Sequence, residues 1–523
     1  MGLLSLTYYR ARSHCGDLMT SKLSSVTITG LNVTVIHVEV DIDRRSVIHD
    51  VDIVGLGDTA VKESKKRVKS ALRNSGFSFP QGRVTVNLAP GDIRKEGSFL
   101  DLPIALGILQ ATGIMKRRDF MAMGELSLDG GIRKIRGVLP ALSVLSEGDF
   151  SGTVVIPRDN IEEAQLIDGL KIYAFKTLRE VVEYANGLKE FLPVEHRQIP
   201  LTEFSDSADF SEVKGQLAAK RALEIAASGG HNVLMRGSPG SGKTMLARRF
   251  PSILPPMTTQ EALEVIKIYS AAGLFQTATA MRRPFRSPHH TASTAAIIGG
   301  GNDARPGEVT LSHNGVLFLD EFPEFRRDVI EALRQPLEDG VVTIARARMT
   351  VTYPANFTLI AAMNPCPCGN YGSPDAVCTC SPYEIARYNK KLSEPILDRI
   401  DMIVHVPKIK VEEYFTPTKS ESSKNIRNRV VAARNRQIIR YDGTGITSNS
   451  QIPHKMLAKF VSLDEKSEEL LKLAAKRYNL SGRAIDKILR LARTIADLDS
   501  SDSVCLKHVS EALQYRTSEV NTF

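Results

Sequence analysis

The stretch Gly237-Ser-Pro-Gly-Ser-Gly-Lys-Thr244 constrains this 523-residue chain more than any other feature. It follows the apolar run His231-Asn-Val-Leu-Met-Arg236, and the spacing GxxxxGK[ST] predicts a short strand, a glycine-rich turn and a helix starting near Lys243. Gly237, Ser238, Pro239, Gly240, Ser241 and Gly242 then offer successive backbone N–H groups to the β- and γ-phosphates of a nucleotide. Lys243 supplies a positive charge to the phosphates, and Thr244 a hydroxyl to Mg²⁺. ATP and Mg²⁺ are the expected cofactors.

A second element falls where such a fold needs it. Gly315-Val-Leu-Phe-Leu-Asp-Glu321 reads as a buried strand ending in two carboxylates. Asp320 is placed to hold Mg²⁺, directly or through water, and Glu321 to polarise the water that attacks the γ-phosphate. A third strand, Phe357-Thr-Leu-Ile-Ala-Ala-Met363, ends in Asn364, which can help orient that water, open the turn at Pro365, or do both.

Lys and Arg outnumber Asp and Glu by 68 to 59, a net charge of +9 that permits a polyanionic partner without requiring one. The chain has no run of 18 apolar residues, and its first twenty residues lack the apolar core of a secretory signal. Four of six cysteines (Cys366, Cys368, Cys378 and Cys380) lie within fifteen residues as CxC-x9-CxC. Four soft thiolates suit tetrahedral Zn²⁺ with no open position, a structural site; disulfide pairs or free thiols are the alternative. Clustered thiols in an ATP-dependent protein point to the cytoplasm.

The pattern divides the chain into an extension (1–22), an α+β domain (23–188), a polar linker (189–212), an α/β ATPase core (213–407) and a helical lid (408–523). The core is expected to be a parallel sheet with helices on both faces. Gly340-Val-Val-Thr-Ile-Ala-Arg-Ala-Arg-Met-Thr-Val-Thr-Tyr353 reads as a hairpin turning around Arg346 and Arg348, suited to phosphate contacts or simply solvated. His289-His290 is expected to have no carboxylate partner close by, and adjacent histidines usually point apart, so a structural or DNA-contacting role is expected before a metal.

Lys95-Glu-Gly-Ser-Phe-Leu-Asp-Leu-Pro-Ile-Ala105 and Gly124-Glu-Leu-Ser-Leu-Asp-Gly130 resemble the proteolytic domain of Lon, on a ribosomal-protein-S5-like fold. Matched by position, Phe99 stands where that family has its Ser and Leu139 where it has its Lys, while Ser98 is one residue off. Without nucleophile and amine base no Ser–Lys peptide hydrolysis is expected, so the domain reads as a scaffold or a protein-partner module.

The core resembles the AAA+ ATPases of the magnesium-chelatase and MCM branch. That resemblance implies that Arg399, in Leu392-Ser-Glu-Pro-Ile-Leu-Asp-Arg-Ile-Asp401, is an arginine finger reaching a neighbouring subunit's nucleotide. It makes Arg483, in Ser481-Gly-Arg-Ala-Ile-Asp486, the sensor-2 arginine on the lid, and it implies a closed homo-oligomeric ring, usually a hexamer. It also makes residues 282–307 a helix-2 insert and the hairpin a presensor-1 hairpin lining a pore. The whole arrangement resembles the YifB/ComM-type magnesium-chelatase-like proteins. Members of that family imply a DNA branch-migration helicase serving recombination or natural transformation. The alternatives are an ATP-driven protein remodeller of the chelatase-subunit type and a nucleotide-gated binding scaffold.

Overall fold

A computed structural model of the chain describes residues 20–47, 50–93, 95, 97, 99–148, 150–198, 208–276, 282–301, 303–346, 349–372, 376–409 and 420–517. They form two compact units.

The first unit holds a seven-stranded mixed sheet. Its backbone is a long antiparallel pair, Thr20–Thr29 and Asn32–Asp43, joined by a two-residue turn in which Gly30 takes φ +67°. Along the second strand Ile36, Val38, Val40 and Ile42 alternate into the core, the period-two pattern of a strand with one face buried. Val51–Val54 and Arg83–Ala89 extend the sheet on one side. Phe120–Ala122, Thr153–Pro157 and Lys171–Phe175 extend it in parallel on the other. The apolar helix Asp101–Ala111 is buried along its whole length. The described part of this unit also takes in residues 266–276, the second half of the helix Thr259–Ala272 and the residues after it.

At the two positions matched to the Lon dyad the side chains are apolar and packed. Phe99 lies against the core and Leu139 is fully buried. Ser98 lies outside the described residues. Lys95 is buried with its ammonium on the Pro90 carbonyl, and burial pushes its pKa down.

The second unit is built on five parallel strands in the order Phe285–Arg286, Val316–Leu319, Thr358–Met363, Val233–Arg236, Met402–His405. All four residues of Val316–Leu319 are buried, as expected of a parallel strand covered on both faces. The strand preceding the glycine-rich turn, first of the five in the chain, lies between the fourth and fifth in chain order. The carboxyl ends beside such a crossover are where open parallel sheets bind ligands. The helices Ser423–Arg440, His454–Phe460, Glu465–Tyr478, Gly482–Leu498 and Leu506–Thr517 follow. No helix among the described residues is long and apolar enough to cross a membrane.

Candidate functional site

The strand Val233–Arg236 ends at the turn 237–242, and a helix begins at Lys243. Lys243 is buried, and its Nζ donates to the carbonyls of Gly237 (2.7 Å) and Ser238 (3.0 Å), to Ser241 Oγ (3.5 Å) and to Asn364 Oδ1 (3.2 Å). Among the described residues these partners are all neutral oxygens, and burial lowers the ammonium's pKa. A buried cation without a directly bonded anion suits a phosphate. Asn364 closes its strand on the same lysine, so one of the two roles expected for it brings it to the phosphate loop.

Thr244 Oγ1 donates to Asp320 Oδ2 at 2.7 Å. A hydroxyl and a carboxylate side by side are the oxygen donors that Mg²⁺ takes beside a nucleotide, where the ion would neutralise charge on the β- and γ-phosphates. Glu321, the next residue, adopts φ +51° and donates its backbone N–H to Asp320 Oδ1 at 2.9 Å. That left-handed turn swings its carboxylate away from the direction the strand would give it. His290 Nδ1 lies 3.2 Å from Glu321 Oε2. This corrects the expectation that no carboxylate lies near the histidine pair. The two imidazoles also do not diverge: their ring centroids are 4.2 Å apart and tilted 33°. The residues after the strand Phe285–Arg286 return to the carboxyl edge of the sheet, a tertiary contact no sequence spacing carries.

Arg399 follows the short helix Glu394–Leu397. Its guanidinium pairs with Glu338 and donates from Nη1 to the Pro395 carbonyl at 2.7 Å. Arg483 is exposed in the first turn of the helix Gly482–Leu498, whose N-terminus is capped by Ser481 Oγ accepting from the Ala484 N–H at 3.2 Å.

The sulfurs of Cys366, Cys368, Cys378 and Cys380 all lie within 4.8 Å of one another. The closest distances are 3.4 Å from Cys366 to Cys368 and 3.6 Å from Cys368 to Cys378. Backbone N–H groups of Asn370 and Thr379 hold the Cys368 thiol down to about 5. Four thiols at this separation fit one tetrahedral Zn²⁺, and none of the four is in a disulfide. The loop abuts the glycine-rich turn. A Cβ on Gly369 would lie 2.4 Å from Pro239 Cδ, and Arg236 Nη2 donates to the Pro365 carbonyl at 3.1 Å.

The hairpin pairs Val341–Arg346 with Met349–Pro354, Arg346 opposite Met349. Val342, Ile344, Val351 and Tyr353 are buried, and Tyr353 Oη donates to the Ala304 carbonyl at 2.9 Å. Arg346 is exposed; Arg348 lies outside the described residues. The glycine-rich insert packs against this hairpin: a Cβ on Gly300 would lie 2.8 Å from Arg346 Nη2. Other cations of these segments are committed within the chain. Arg286 makes a bidentate pair with Glu308 (2.6 and 2.7 Å), and Arg283 pairs with Glu261 at 3.0 Å. In the basic helix, Arg429 is held by Glu224 and Glu421, Arg434 by the carbonyls of Ala227 and Thr447, and Arg436 by Asp502. Three arginines of this helix thus have partners within the chain.

Comparison with known families and proteins agrees with this architecture. The family models described as magnesium chelatase, subunit ChlI, and its C-terminal part match residues 209–414 and 420–516, and that for subunit ChlI of Mg-chelatase matches residues 38–160. The competence protein ComM of Haemophilus influenzae is 41% identical over 473 residues, covering 89% of this chain and 91% of that protein. The uncharacterized protein YifB of Escherichia coli is 40% identical over 496 residues, 93% of this chain and 95% of the other. A weaker likeness, 24% over 299 residues, links 54% of this chain to 37% of the DNA replication licensing factor Mcm5 of Drosophila melanogaster.

Proposed function

This chain belongs to the ComM/YifB family of magnesium-chelatase-like AAA+ ATPases, and on that premise we propose that it is an ATP-driven remodelling machine of the chelatase-subunit type. The observation that carries the reading is the convergence of Lys243, Thr244, Asp320 and Asn364 at the carboxyl ends of adjacent parallel strands, with Glu321 next to Asp320. In this reading Lys243 and the glycine-rich turn bind the phosphates, and Thr244 and Asp320 hold Mg²⁺. Glu321 and Asn364 orient the attacking water. Arg483 meets the nucleotide from the lid, and Arg399 serves the nucleotide of a neighbour in a homo-oligomeric ring, expected to be a hexamer. Zn²⁺ on the four cysteines is structural. The domain of residues 23–188 is a Lon-like, S5-like scaffold without peptidase chemistry, because apolar Phe99 and Leu139 occupy the matched positions.

A second reading makes DNA the client, with branch migration in recombination or natural transformation as the task. Its support is the exposed Arg346 beside the glycine-rich insert, the partial likeness to Mcm5 and the competence named for the Haemophilus relative. Steady-state ATPase rate with and without single-stranded and forked DNA separates the two, with Glu321→Gln as the blank. Stimulation by DNA favours the motor, and a flat response in an assembled ring favours a protein client. Absence of Mg²⁺-dependent hydrolysis in every condition overturns both.

A further inference from the structure

Three consecutive carbonyls around Arg399 are gripped from two directions. Lys487 Nζ donates to the carbonyl of Asp398 and, at 3.0 Å, to that of Ile400. Asn232 Nδ2 donates to the carbonyl of Arg399 itself at 3.1 Å. Arg516 Nη1 adds a bond to the Ile400 carbonyl at 2.8 Å. Asn232 heads the strand leading into the phosphate loop, and its side-chain Oδ1 also accepts from the Leu359 N–H at 2.8 Å. Lys487 belongs to the lid helix Gly482–Leu498, one turn beyond Arg483.

The grip is buried and charged. Lys487 is 8% exposed, and Asp401 Oδ1 lies 3.6 Å from its ammonium. Burial pushes Lys487 down to about 8 against the pull of Asp401. Burial alone would raise the Asp401 carboxyl, but Lys487, His231 and the Asn232 N–H hold it far below the usual range. A pair whose only task were to anchor lid to core would not need its ammonium on two backbone carbonyls flanking one arginine.

We infer that Lys487 is a positioning residue for Arg399, so that the lid helix sets, through the 398–400 backbone, where that arginine is presented. Residues four apart on a helix share a face. Arg483 and Lys487 therefore move together when the helix tilts, one toward the subunit's own nucleotide and the other with the finger offered to its neighbour. This rests on the proposed action of Arg399 in trans.

The test uses full-length chains in mixed rings. Glu321→Gln subunits donate a finger but do not hydrolyse; Arg399→Ala subunits hydrolyse only when a neighbour supplies one. Activity in this mixture is required by the trans reading, and its absence overturns that reading before Lys487 is touched. Lys487→Met is then added to the donor or to the acceptor. A misplacement of about 1 Å can cost about 100-fold in rate. The expected result is a fall in kcat of about tenfold or more from the donor-side change, with KM for ATP unchanged. The acceptor-side change is expected to cost clearly less, and Lys487→Arg on the donor to restore most of the rate. Equal losses on both sides, or no donor-side loss, overturn the inference. If Lys487→Met does not assemble, Lys487→Met with Asp401→Asn, which leaves no unpaired buried charge, is read by the same criteria.

Discussion

Thr244 Oγ1 and Asp320 Oδ2 meet at 2.7 Å, joining the helix after the phosphate loop to the end of a strand 76 positions further along the chain. Two weak metal donors from separate elements have been brought to one point, and the hydroxyl hydrogen is spent on the carboxylate until a cation replaces it. The two should therefore fail together. Asp320→Asn is expected to raise the Mg²⁺ concentration for half-maximal hydrolysis by about tenfold or more, and Thr244→Val to do likewise. Titrating ATPase activity with Mg²⁺ checks this, and an unchanged midpoint in both variants would remove the pair from the metal site.

The task proposed for Glu321, in the same turn, is a different one. Replacing it by Gln leaves Thr244, Asp320 and Lys243 in place, so nucleotide affinity should stay within about threefold. Loss of a positioned base removes about 10²–10⁴ in rate. Fluorescent-nucleotide binding beside single-turnover hydrolysis separates the two quantities. Wild-type turnover by Glu321→Gln would sink the assignment.

Much of this was legible in the sequence because the chemistry is local. The phosphate loop is eight consecutive residues, the acidic pair closes a run of four buried apolar ones, and four cysteines sit in one loop. What stayed hidden is tertiary. His290 reaches Glu321 only because the segment between two strands folds back over the sheet edge, at 3.2 Å from the carboxylate. Lys487 and Asn232 converge on the Arg399 backbone from elements 87 to 167 residues distant, and neither is unusual in its own segment. Charge runs mislead for the same reason. In the basic helix Ser423–Arg440, Arg429 and Arg436 are met by Glu224, Glu421 and Asp502, none of which lies in the helix itself.

The four-cysteine loop should carry one Zn²⁺ per chain, measurable by elemental analysis of purified protein. Because Gly369 of that loop rests on Pro239 of the phosphate loop, stripping the metal should also weaken nucleotide binding. Cys378→Ser is expected to lower the thermal midpoint by at least about 5 °C, since structural zinc contributes directly to folding. A metal-free protein with wild-type stability and nucleotide affinity would leave the thiols without this role.

Arg346 offers the clearest test of a DNA client. It is exposed at the end of its strand, with its guanidinium over the buried Gly300. Arg346→Ala should leave ATPase without DNA unchanged, weaken DNA binding about equally across sequences, and reduce the salt dependence of affinity by about one phosphate contact. Fluorescence anisotropy over a range of salt concentrations reads both terms. An unchanged slope would take this arginine out of any DNA path.

The pair between Arg399 and Glu338 sets the last expectation, because a finger serving a neighbour must first leave its own chain. The Glu338 side chain is 51% exposed, and ion pairs of this kind contribute about 0–1 kcal/mol. An arginine finger contributes about 10³–10⁵ in rate, and each tenfold is about 1.4 kcal/mol, so the finger outweighs the pair by at least about 3 kcal/mol. The intrachain pair can therefore hold the arginine in an isolated subunit without preventing its transfer in a ring. Arg399→Ala should lower kcat by about 10³ or more with nucleotide affinity kept. Glu338→Gln should change kcat by less than about fivefold, and upward, because a competitor for the finger is gone. Steady-state kinetics on both variants decide it. A loss from Glu338→Gln as deep as that from Arg399→Ala would mean that the pair is itself the working arrangement, acting within one chain.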